Sequence, residues 1–96
     1  MTITKTVNGS EAVLAFEGWL DTQAAPEMRR EIDALGEDIT DIVIDFEKLE
    51  YISSSGIREV VSAYKKMNGN MKIKNASAGI MGIFKATGID KKITFE

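Results

Sequence analysis

The sequence predicts an α/β fold: a mixed sheet of four to five strands that opens with a β-hairpin and is packed with about three main helices. Three observations carry this expectation. Two alternating runs flank Asn8-Gly9 near the start, a dipeptide that favours tight hairpin turns. Helical apolar spacing then recurs after short β-like runs, giving the order ββαβαβα with a last short strand. Strand–helix–strand units need crossover connections and make the later strands parallel, whereas the hairpin adds an antiparallel pair.

The elements follow in chain order. Residues 2–7 place Ile3, Lys5 and Val7 on one face and Thr2, Thr4 and Thr6 on the other. Residues 12–17 form the second arm, with Leu14 and Phe16 facing inward. From Asp21 the period changes, because Met28, Ile32 and Leu35 fall at i, i+4 and i+7 of a helix. Asp21 or Thr22 starts the turn, Pro26 suits the first helical positions, and Gly36 suits the stop. Ile42 to Phe46 is a nearly continuous apolar run, the pattern of a strand covered on both faces. Glu47 to Glu50 reads as a turn-like connection to Tyr51-Ile52 and then to Ser53-Ser54-Ser55-Gly56.

Ile57, Val60, Val61, Tyr64 and Met67 mark a second amphipathic helix. Asn68-Gly69-Asn70 ends it, since these residues tolerate a left-handed cap. Met71 to Lys74 alternates as a strand. Ser77 can cap a third helix carrying Ile80, Ile83 and Phe84, with Gly88 near its end and Met71 and Met81 reading as packing beside it. Ile93-Thr94-Phe95 supplies the last short strand. With no repeat or linker in view, residues 1–96 are expected to form one domain, a size at which a single core suffices.

Composition narrows the function classes. At 44% hydrophobic and 28% charged the chain is ordinary for a folded protein. Its twelve Lys and Arg are diluted among fifteen acids, for a net charge of −3. That argues against nucleic acid, which needs a clustered cationic surplus. There are no cysteines and no histidines, so disulfides, thiolate nucleophiles, Cys/His zinc sites and a Ser–His arrangement are excluded. No pair among the remaining Asp, Glu, Lys and Ser side chains has a spacing that demands catalysis. No enzyme activity, metal or cofactor is therefore expected. No apolar run approaches the ~20 residues needed to cross a bilayer, and Met1 to Lys5 lacks the apolar core of a signal peptide. The expectation is a cytoplasmic protein without membrane insertion.

The informative segment runs from Asp45-Phe46 to Ser53-Ser54-Ser55-Gly56-Ile57. It feeds three hydroxyls and a glycine directly into a helix whose first N–H groups lack partners and carry partial positive charge. Serines can cap those donors, and a phosphate can be accommodated at the same place; the residues alone leave both open for Ser54. Ser53 and Ser55 lean to capping or turn roles. Gly56 points to close packing or a required backbone geometry. Asp21 can cap the first helix, meet a partner, or do both.

Asp45 is best read as an anchor accepting backbone hydrogen bonds. As the phosphoacceptor of a receiver domain it would need an acidic pair after the first strand, a later lysine, and a βα unit in place of the hairpin. Trp19 is an interface anchor if exposed and part of the core if tucked under the hairpin. The serine run is no nucleotide-binding loop, because the glycine spacing and the lysine are absent.

These segments together resemble the STAS domain, the family named for sulfate transporters and anti-sigma factor antagonists. Gly18-Trp19-Leu20-Asp21 resembles the family's Gly-x-Leu-Asp at the end of its second strand, and Ile42-Val43-Ile44-Asp45 its central strand. Leu49 to Ile57 resembles the signature Asp-Ser-Ser-Gly turn, and Phe84 to Ile89 the closing helix and glycine. The resemblance implies an anti-sigma factor antagonist. Such a protein binds an anti-sigma factor serine kinase when unphosphorylated and is released on serine phosphorylation, with a serine phosphatase resetting the switch.

On this chain the acceptor position falls on Ser54, with Ser53 and Ser55 as alternates. The implied partner surface comprises Asp21, Ser53, Ser54, Ser55, Gly56 and Ile57, on a protein that is a monomer when free. One position departs from the pattern: Ser53 stands where the signature has aspartate, which makes the local field less negative. That departure motivates a second expectation, a non-switching STAS interaction module of a signalling, transport or lipid-trafficking complex.

A phosphoserine adds roughly −1.5 to −2 charges. The helix start attracts an exposed anion by only about 0.3–1 kcal/mol. Phosphorylation is therefore expected to act on docking and to leave the fold almost unchanged.

Overall fold

A computed structural model describes residues 1–96. Strands β1 (Thr2–Asn8) and β2 (Glu11–Leu20) pair antiparallel from Thr2↔Glu17 to Asn8↔Glu11. The register places the two-residue turn at Gly9-Ser10, one step beyond the expected Asn8-Gly9. Gly9 has φ +62°, the positive value that the first central residue of such a turn requires. Helix α1 (Ala25–Asp33), strand β3 (Asp41–Ile52), helix α2 (Ser54–Lys66), strand β4 (Met71–Lys74) and helix α3 (Ala78–Thr87) follow. A 3-10 turn at Ile89–Lys91 leads to the last strand, β5 (Thr94–Phe95). The fold is thus α/β, with a mixed five-stranded sheet in the order β1-β2-β3-β4-β5. Strands β2, β3, β4 and β5 pair parallel with one another in that order.

Each parallel crossover steps the same way along the sheet. Right-handed connections of that kind put all three helices on one face, and burial agrees. One core cluster gathers Leu14 and Phe16 from β2, Ile42, Ile44 and Phe46 from β3, and Met71 and Ile73 from β4. Met28 and Ile32 of α1, Val60 and Ala63 of α2, and Ile80 and Phe84 of α3 complete it. Phe46 sits at its centre, edge-on to Phe16 at 5.4 Å and stacked near Phe84 at 6.4 Å.

The alternate positions make an open outer face, where Thr2, Thr4, Thr6, Glu17 and Thr94 are exposed and Val13, Ala15, Lys72 and Lys74 half-buried. The expectation that β3 is covered on both faces is therefore corrected. Val43 is buried because Val13 and Lys72 flank it in register; no second layer lies over it.

A second correction concerns Glu47 to Glu50, which remain in β3 and form no turn. Glu17 pairs with Lys48, Gly18 with Leu49, and Trp19 with Tyr51. Two register shifts absorb the mismatch, as β-bulges do. Buried Leu49 and Ile52 anchor the segment inward, and pairing with β2 satisfies backbone groups that a sequence reader assigns to a loop. Asp45 Oδ1 accepts from the Glu47 N–H at 3.0 Å and from Asn75 Nδ2 at 3.1 Å. It pins the first irregularity of β3 to the end of β4. Leu35, placed by its spacing on the first helix, lies beyond the end of α1 and is half-buried.

Candidate functional site

The site forms where β2 and β3 end side by side, with Leu20 paired to Ile52. The chain leaves β3 in extended conformation at Ser53, which has φ −93° and ψ 172°. Its backbone N–H donates to the Leu20 carbonyl at 2.9 Å. Its hydroxyl donates to the same oxygen at 3.4 Å and accepts from the Gly56 N–H at 3.2 Å. Ser53 is therefore the N-cap of α2, satisfying one of the donors a helix start leaves open.

Gly56 explains the close approach. A Cβ there would lie 2.6 Å from the Leu20 carbonyl oxygen and 2.9 Å from side-chain carbons of Ile52 and Leu20. The missing side chain lets the first turn of α2 rest against the end of β2. Gly56 is itself buried, so it acts by setting the height of this surface.

The other hydroxyls are placed differently. Ser54, the first residue of α2, is exposed. Ser55 is half-buried, its Oγ 3.3 Å from Thr22 Oγ1. That contact ties the helix start to the turn after β2. In that turn Asp21 Oδ1 accepts from the N–H groups of Gln23 at 3.1 Å and Ala24 at 2.9 Å. The N-cap of α1 is Ala24, which offers no side-chain bond, so Asp21 caps the turn that leads into the helix. Ile57 is half-buried one turn-step along α2. The structure thus brings Asp21, Ser53, Ser54, Ser55, Gly56 and Ile57 to one end of the sheet.

Two neighbours complete the surroundings. Trp19 and Tyr51 are exposed, at 57% and 44%, and their rings lie 5.4 Å apart at 47°. Trp19 therefore belongs to the surface. Tyr51 pairs with it only because β3 continues past Glu47. The sequence offered one signal, two aromatics each just before a strand end.

On the other side, Arg29 of α1 grips Glu59 of α2 with two guanidinium nitrogens, at 2.7 and 3.3 Å. The hydrogen bond to Glu59, then that carboxylate's charge, raises the Arg29 pKa above its already high value. Arg29 thus stays cationic and holds α1 to α2 beside the serines.

Residues 2–96 match the model of the STAS domain. The chain belongs to the STAS domain family. This STAS domain is 27% identical over 85 residues to the anti-sigma-B factor antagonist of Bacillus subtilis (strain 168), covering 85% of this chain and 78% of that protein. It superposes on the anti-sigma factor antagonist SpoIIAA in its unphosphorylated form with a TM-score of 0.80 at 21% identity, over 99% of this chain and 87% of that one. The phosphorylated form of SpoIIAA from Bacillus gives a TM-score of 0.78 at 22% identity, over 99% and 91%. A sulfate transporter family protein from Wolinella succinogenes shares the fold at 13% identity, with a TM-score of 0.76 over 95% and 80%. The fold is common to regulators and transporters, so the site must carry the functional argument.

Proposed function

We propose that this STAS domain is a cytoplasmic, non-enzymatic anti-sigma factor antagonist. It docks on an anti-sigma factor serine kinase when unphosphorylated and is released when Ser54 is phosphorylated, and a serine phosphatase resets it. One observation carries the reading. Ser54 is exposed at the mouth of α2 and its hydroxyl makes none of the protein's hydrogen bonds, while Ser53 is committed as the cap and Ser55 contacts Thr22. The antagonists of similar sequence and fold support it. One of them exists in phosphorylated and unphosphorylated forms.

The chemistry is that of a surface switch. Phosphorylation replaces a neutral hydroxyl with roughly −1.5 to −2 charges. A partner packed over this corner must then desolvate that charge or meet it with its own carboxylates, and either outcome opposes docking. The free domain is proposed to be a monomer.

The test is phosphorylation by the serine kinase of its own cell with ATP, mapped by mass spectrometry. Phosphate is expected on Ser54 and lost in Ser54→Ala. Ser54→Glu is expected to abolish kinase binding; undiminished affinity in that variant would overturn the proposal. A second reading, a non-switching module of a larger assembly, is favoured by Ser53 in place of the signature aspartate. It predicts no phosphate under kinase conditions and co-purification with membrane transport components.

A further inference from the structure

Beside the serine corner, an open groove of about 580 Å³ runs along α2, lined on one flank by residues of and before α1 and on the other by Ile89 after α3. Its walls include half-buried Ile57, Val61 and Ile89, so it offers apolar surface. Its charge is unbalanced in one direction. Arg29 is neutralised by Glu59 at 2.7 Å. Arg58 and Lys65 also line the groove and take part in none of the four ion pairs of the protein. Two unpaired cations thus edge an apolar trough in a chain whose net charge is −3.

We propose that this groove seats an acidic amphipathic segment of the protein partner. Its apolar side would rest on Ile57 and Val61, with its carboxylates on Arg58 and Lys65. Charge complementarity selects this occupant. A nucleic acid would meet too few free cations and too much net negative charge. A lone phosphate would leave the apolar walls unused.

The groove also extends the reading of Ser54, on which this last clause rests. Arg58 lies one helical turn after Ser54, so their Cβ atoms are about 5–6 Å apart on the same side of α2. A phosphate on Ser54 can draw the Arg58 guanidinium to itself. It then removes one of the two cations the acidic segment needs.

The test needs neither kinase nor phosphate. A synthetic helix with Glu along one side and Leu along the other is titrated into the isotope-labelled protein, beside a copy with Gln in place of Glu. The amide shifts are followed by NMR. Shifts from the Glu peptide are expected along the α2 groove, and the Gln peptide should bind roughly tenfold more weakly, the scale of two exposed ion pairs. The double variant Arg58→Gln/Lys65→Gln should erase that difference while its circular dichroism stays native. Ser54→Glu should weaken the Glu peptide severalfold, and should cease to do so in an Arg58→Gln background.

Equal binding of the two peptides, absence of binding, or shifts on the outer sheet face would overturn the proposal. Shifts that grow with protein concentration alone would assign the groove to a second copy instead. Failure here with phosphate still mapping to Ser54 removes the groove and leaves the switch. Success here with no phosphate on Ser54 does the reverse.

Discussion

Ser53 holds both strand and helix through one oxygen, accepting from Gly56 and donating to Leu20. Ser53→Ala should therefore cost about 0.5–2 kcal/mol, the range for a lost N-cap. It would be read as a lower urea midpoint with an unchanged slope. Ser54→Ala removes an exposed hydroxyl and should stay within about 0.5 kcal/mol of the native chain, yet lose the phosphate. Equal destabilisation by the two would show that the cap is assigned to the wrong serine. The sequence alone made all three serines candidates for capping, because hydroxyls at a helix start cap readily. It leaned Ser53 and Ser55 to capping or turn roles and left Ser54 open, without saying which oxygen bonds the helix. The ranking depends on the Leu20 carbonyl, 33 residues away along the chain, and on Thr22, equally remote from Ser55.

Helix α2 meets the sheet through Gly56, where an added methyl would press on a backbone oxygen that has no rotamer to escape into. Gly56→Ala is expected to destabilise by about 1–3 kcal/mol, as overpacking does. It should also impair partner binding by lifting the first turn of α2. A native urea midpoint in this variant would mean that the contact relaxes freely.

Helix α1 is tied to α2 by Arg29 and Glu59 on an exposed face, and the raised Arg29 pKa fixes the sign of its pH dependence. A cation whose folded pKa is raised adds stability below its unfolded value and loses it as pH rises through the folded one. Both values lie far above neutral pH. The difference in urea midpoint between the native chain and Arg29→Ala should therefore not vary through Arg29 titration from about pH 6 to 9. A swing in that window would have to come from another group. At this scale the sequence was most legible, since apolar spacing marks α1, α2 and α3 directly. It failed at Glu47 to Glu50, whose polarity suggests a turn but whose backbone pairs with β2.

Across the whole molecule, the sheet buries one face and leaves the other open, and its end displays Trp19 against Tyr51 beside the serine corner. Trp19 is the only tryptophan, which makes it a native reporter. Its fluorescence in the free protein should be that of a water-exposed indole. It should shift to the blue when a partner covers this end of the sheet, and Trp19→Ala should leave stability within about 0.5 kcal/mol. Unshifted emission on binding would place the partner elsewhere.

Periodicity, caps and turn residues by themselves determined the type and order of the elements, most of the inward residues of each helix and the serine-rich entry to α2. These are matters of local backbone preference and of which side chains avoid water, and a window of a few residues contains them. The open outer face, the unbroken course of β3, the pairing of Trp19 with Tyr51, the one uncommitted serine and the grouping of Arg58 and Lys65 beside an apolar groove were decided only by tertiary structure. Each depends on what lies opposite a residue, and that is set by strand register and helix packing between segments far apart in the chain.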